Sequence, residues 1–147
     1  MGLSYHAADG RLIYSVSVGE ASGIFLLDLA APIDDEGHII HGTDMIFHGL
    51  DYSPARNEIA VAVDESAMER HIALLTLEKC RLYFVTEGDS FDNNPIWSKT
   101  ERDVLYYDSA GIGRNKQGVP ICLGPRVINR LDLKTCGVLL NRYGAHR

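Results

Sequence analysis

The chain has 147 residues, enough for one domain with a substantial core. Its 20 acidic and 14 basic residues give a net charge of −6, which argues against a generic nucleic-acid or anionic-membrane surface. Apolar runs are short and broken by Asp, Gly or Pro, so no segment reads as a membrane-spanning helix.

In chain order, residues 11–18 alternate Leu12, Tyr14, Val16 and Val18 with more polar partners, the period-two signature of a half-buried strand. Gly19, Ser22 and Gly23 mark a turn before a second strand over residues 24–29, and residues 32–37 form an acidic turn. Met45, Ile46 and Phe47 read as an outer strand that closes this first unit. A new unit opens near Leu50, with a strand over residues 59–63. Residues 64–77 contain good helix formers, and Met68, Ile72 and Leu75 fit one helical face. Within them, residues 71–77 align without a gap on residues 23–29, so a turn and then a strand are expected there instead. Residues 81–86 supply the next outer strand. In the third unit, residues 104–107 and 126–133 read as strands separated by residues 109–125, a Gly-rich insertion expected to be a loop. Residues 137–141 offer a short outer strand.

One frame recurs through these units. An aromatic residue (Tyr5, Tyr52, Trp97) stands seven positions before an aliphatic one (Leu12, Ile59, Val104). A period of about 45 residues with four short strands per unit is that of a propeller blade. The motif resembles the TolB-type (WD40-like) β-propeller repeat, Pro-x-Trp-Ser-Pro-Asp-Gly followed by a basic residue and an aliphatic strand. Pro95-Ile96-Trp97-Ser98 carries its first half, Tyr52-Ser53-Pro54 its middle, and Asp9-Gly10-Arg11-Leu12-Ile13-Tyr14 its end; Lys99 stands in place of the Pro. The resemblance implies an all-β fold of four-stranded antiparallel blades, about three of them, at residues 3–48, 49–93 and 94–147. That is half of a six-bladed ring. Three blades leave two blade faces without neighbours, so a protein partner or self-association is expected, including a homodimer that completes the ring.

Motifs for catalysis or cofactor binding are incomplete. His38, His41 and His48 lie near Asp34, Asp35, Glu36 and Asp44, but a spacing of three puts His38 and His41 on opposite sides of a strand. Some TolB-type proteins are pectic-oligosaccharide lyases that hold a metal by His and Gln, and no such set maps onto this sequence. Ser90 in Gly88-Asp89-Ser90-Phe91-Asp92 lacks the closing Gly of a nucleophile elbow. Residues 111–118 have part of a phosphate-loop spacing, with Val119-Pro120 where Lys and Ser or Thr are needed. Asp89, Asp92, Asn93 and Asn94 lack the ordered spacing of a calcium loop and read as turn residues before Pro95. No cofactor and no catalytic residue is expected.

The candidate interaction surface is the insertion, with Arg114, Asn115 and Lys116, and the adjacent Tyr106 and Tyr107. The sequence therefore reads as a non-catalytic propeller module for protein interaction or scaffolding. The alternative is a fragment of a propeller enzyme, either a carbohydrate-active lyase or the gating domain of a serine peptidase. Cys80, Cys122 and Cys136 form no Cys-x-x-Cys pair, and the repeat puts Cys80 and Cys136 at the same turn of adjacent blades, too far apart to bridge. Free thiols and the absence of a basic or apolar leader point to a cytoplasmic protein if these residues are the full chain.

Overall fold

The computed structural model describes residues 2–6, 10–18, 21–30, 37–42, 45–66 and 69–134, and among these it is all-β, with no helix. Eleven strands follow in chain order: β1 Gly2–His6, β2 Arg11–Val18, β3 Ala21–Asp28, β4 Gly37–Gly42, β5 Ile46–Ser53, β6 Glu58–Asp64, β7 Arg70–Thr76, β8 Arg81–Phe84, β9 Ser90–Trp97, β10 Val104–Arg114 and β11 Pro120–Asp132. Consecutive strands pair antiparallel within three groups: β1 to β4, β5 to β8, and β9 to β11. A single parallel pair, Arg70 with Phe91, links the second group to the third, so β9 meets β7 at one end of the edge that β8 covers at the other.

The central group explains the core. In β6 and β7 side chains alternate between two apolar faces. Ile59, Val61, Val63, Ala73 and Leu75 join Ile13, Ile24, Phe47, Leu50, Tyr52 and Phe84 in one buried cluster. Ala60, Ala62, Ile72 and Leu74 join Trp97 and Leu105 in a second. A strand pair buried on both faces needs a layer on each side. β2 and β3 supply one through Ile13 and Ile24, and β9 and β10 supply the other through Trp97 and Leu105. The small side chains of Ala60 and Ala62 leave the depth in which the Trp97 ring sits.

The aromatic frame is seen in the strand register. Tyr5 stands opposite Leu12 and Tyr52 opposite Ile59. Trp97 stands opposite Leu105, one residue later than the common spacing predicts, because the turn between β9 and β10 is longer than that between β5 and β6. Tyr52 and Trp97 are buried in the first and second clusters respectively; the side chain of Tyr5 lies outside the described residues. The short β5–β6 turn closes on Asn57 in the left-handed region, at φ 52°, where its Oδ1 accepts a 3.1 Å hydrogen bond from the Tyr52 hydroxyl. Asn tolerates that conformation better than a branched residue.

Strand β7 runs where the alignment within the chain expects a strand and not a helix. Other expectations are corrected. The outer strand of the first group is β4, whereas Ile46 and Phe47 belong to β5, which a bulge between Phe47 and Leu50 carries further back than the repeat suggests. Residues 90–94 are not a turn before Pro95 but the first part of β9, kinked at Asn94 (φ 49°). Residues 109–125 are not a loop: β10 and β11 run on through them as a long hairpin. The expected acidic turn over residues 32–37 lies largely outside the described residues, and the strand over 137–141 and Cys136 lie wholly outside them.

Trp97 is 3% exposed, and its loss would open the second cluster. Trp97→Ala is expected to lower stability by about 3–5 kcal/mol, measured by urea unfolding; a loss under about 1 kcal/mol would show that the aromatic frame is not a packing frame.

Candidate interaction surface

Three polar clusters join the second group to the third; most of their polar atoms are paired, and His71 Nδ1 is buried without a hydrogen-bond partner. His71 is buried between Glu65, 3.1 Å from Nε2, and Asp92, 3.5 Å from Nδ1. Asp92 also accepts a hydrogen bond from the Ser109 hydroxyl of β10, so β7, β9 and β10 meet at one carboxylate. Burial alone would push the Asp92 carboxyl up; the neighbouring polar side chains of His71, Ser109, Thr86 and Ser90 outweigh it and hold it below the usual aspartate value.

At the opposite end of β6, the Arg56 guanidinium lies 5.4 Å from the Trp97 ring centre and pairs with Glu58 at 2.7 Å and with Asp103. Tyr83 donates to Glu58 at 2.8 Å. Burial, reinforced by that bond and the Glu58 charge, pushes the Tyr83 phenol up to about 12. Trp97 is itself tied to β5, its backbone N–H donating to Asp51 Oδ2 at 2.8 Å and its indole N–H to the Asp51 carbonyl at 3.1 Å.

The third cluster centres on Arg70, which reaches Asp64 at 2.5 Å, Asn93 at 2.9 Å and His48 Nε2 at 2.7 Å, over the Phe91 ring at 4.3 Å. His48 lies 2.8 Å from Asp64. No group of three metal-ligating side chains occurs among the described residues, and the side chains of His38 and His41 lie outside them. An open, polar depression is lined by Thr100, Glu101, Arg102, Asp103, Val104, Asp132 and Lys134 around the β9–β10 turn. Ser90 is the first residue of β9, beside Asp92.

The residues expected to form an interaction surface divide into two places. Arg114, Asn115 and Lys116 lie at the tip of the β10–β11 hairpin. Asn115 organises that tip: its Oδ1 accepts from the N–H groups of Gln117 at 3.0 Å and Val119 at 2.9 Å, and its carbonyl accepts from Gly118 at 2.9 Å. Tyr106 and Tyr107 lie near the start of β10, on opposite faces. Tyr107 packs against the second core cluster, so it serves the core. Tyr106 faces outward beside Ile96 and Arg130, its cross-strand neighbours.

Sequence reading missed the apolar residues of this region. Ile96 (54% exposed), Val119, Ile121, Leu123, Val127 and Ile128 (78%) are all open to solvent. The run Val119-Pro120-Ile121-Cys122-Leu123 carried the signal, an apolar stretch after a turn, but the density of glycine masked it. No protein-family model and no curated protein matches the sequence.

Two pH effects follow. A carboxyl held low stabilises the fold above its unfolded value and ceases to as pH falls through the folded one. The difference in unfolding free energy between wild type and Asp92→Asn is therefore expected to be constant above about pH 5 and to shrink below about pH 4, read by urea titration. A phenol held high has the reverse sign. Wild type is expected to lose its advantage over Tyr83→Phe as pH rises from about 10, the ordinary tyrosine value, towards about 12.

Proposed function

We propose that the chain is a β-propeller segment that acts as a non-catalytic interaction or scaffold module, completed by further blades or by a second copy. The observation that carries this reading is the pair of open end faces. On the first group, Leu12, Tyr14, Phe25 and Leu27 lie on the side of β2 and β3 away from the core cluster, with the Tyr14 and Phe25 rings stacked at 5.2 Å. On the third group, Ile96, Tyr106 and Ile128 occupy the side of β9 to β11 away from Trp97. The two faces of β6 and β7 are each covered by a neighbouring group, and apolar side chains on an end face favour a covering layer.

The polar clusters support a scaffold reading, since Arg56 with Asp103, His71 with Asp92 and Arg70 with Asn93 tie the second strand group to the third. A two-fold dimer sets the first group of one copy against the third of the other and buries both faces in two identical contacts. Nothing in the described residues favours the lyase or peptidase reading.

Sedimentation velocity at micromolar concentration tests the proposal. A dimer that Ile96→Lys with Ile128→Lys converts to a folded monomer supports closure. Aggregation of the wild-type chain supports a requirement for further blades. A wild-type chain that is a stable, folded monomer overturns both.

A further inference from the structure

We infer that the tip of the β10–β11 hairpin is a docking surface for an acidic polypeptide that also presents apolar side chains; this rests on reading the chain as an interaction module and names its partner class. β9 accompanies β10 as far as Gly111, which stands opposite Ser90. The Ile112 N–H still donates to the Asp89 carbonyl at 3.1 Å; beyond it β10 and β11 pair only with each other, through Gly113 with Ile121 and Arg114 with Pro120. A two-stranded ribbon is marginal in water on its own. This one nevertheless exposes Val119 at 52%, Ile121 at 39% and Leu123 at 51%.

One face of the ribbon is shaped for contact. Leu123 and Ile121 share it with Gly111 and Gly113, their cross-strand partners. The Leu123 side chain lies flat over Gly113, where a Cβ would fall 2.7 Å from its Cδ1. The two glycines thus leave a low apolar platform. The Asn115 hydrogen bonds, with Arg114 Nη1 donating to the Gly118 carbonyl at 2.9 Å, fix the tip before any partner arrives. Such order lowers the entropy lost on binding.

Charge selects the partner. Between Asp108 and Asp132 there is no acidic residue, while Arg114, Lys116, Arg126 and Arg130 are basic; all 20 acidic residues of the chain lie elsewhere. Arg126 pairs with Asp108 and Arg130 with Glu101. Arg114 and Lys116 remain at the tip beside the apolar platform, without a carboxylate neighbour among the described residues. Carboxylates next to apolar groups complement that pairing. Two cations among exposed Val, Ile and Leu are few for a phosphate backbone, whose affinity grows with each neutralised phosphate. A second ribbon would oppose like charges. Pro120, Pro125 and Gly124 (φ 69°) interrupt the β11 edge, so the partner lies on the face instead of adding a strand.

The test is fluorescence anisotropy of a labelled twelve-residue Glu/Leu peptide with the purified chain, beside a Lys/Leu peptide and a single-stranded DNA oligonucleotide. The Glu/Leu peptide is expected to bind, more weakly as salt rises, and about tenfold more weakly to Arg114→Glu with Lys116→Glu. Gly113→Ala, which lifts Leu123 without changing charge, is expected to weaken binding too. The exposed charge-reversal variant is expected to match wild type in circular dichroism and in sedimentation, so that failure of the docking site and failure of ring closure are read separately. Absence of Glu/Leu binding, equal binding of the Lys/Leu peptide or DNA, or indifference to charge reversal overturns the inference. So does a wild-type dimer that charge reversal alone dissociates, since the tip is then a self-contact.

Discussion

Everything described here depends on β6 and β7 being apolar on both faces. A half-buried strand needs one covering layer; these two need a layer on each side, and neighbouring groups of strands provide them. The two clusters are divided by a single thickness of backbone. Ile59, Val61 and Val63 point one way, while Ala60 and Ala62 point the other, so the same few residues hold three groups of strands together.

Polar contacts then fix how the layers meet. Hydrophobic burial is non-directional and tolerates sliding, whereas the Asp51 contacts to Trp97 and the Asp92 contacts to His71 and Ser109 do not. They sit at the join between the second and third groups, where only one backbone pair links β7 to β9. These carboxylates define one relative placement of layers that packing alone leaves loose. Their role is register: the carboxylates tie one group of strands to the next.

Much of the fold was legible in the sequence because strand alternation is a local signal. Residues 11–18 read as a strand with the bounds that β2 has, and alignment within the chain rejected a helix where β7 runs. The failures share a cause. Glycine density reads as loop in residues 109–125, but Gly111 and Gly113 lie within a paired ribbon where a neighbour's side chain needs the space. Asn93 and Asn94 read as turn residues, yet they belong to a kinked strand beside Gly49. The polar clusters were not legible at all. His71 finds Glu65 nearby in sequence, but Asp92, and the Ser109 that bonds Asp92, come to it only through the fold.

The alanines opposite Trp97 give the stack a direction and a stop. The face of β6 that receives the indole is small, and the face behind it is large, so the groups are arranged head to tail. By strand register, the positions of Ala60 and Ala62 correspond in β10 to Tyr106 and Asp108, the latter tied to Arg126. Tyr106 and the Asp108–Arg126 pair are bulkier than alanine, so among the described residues the outer face of the third group lacks the recess that receives Trp97 on β6.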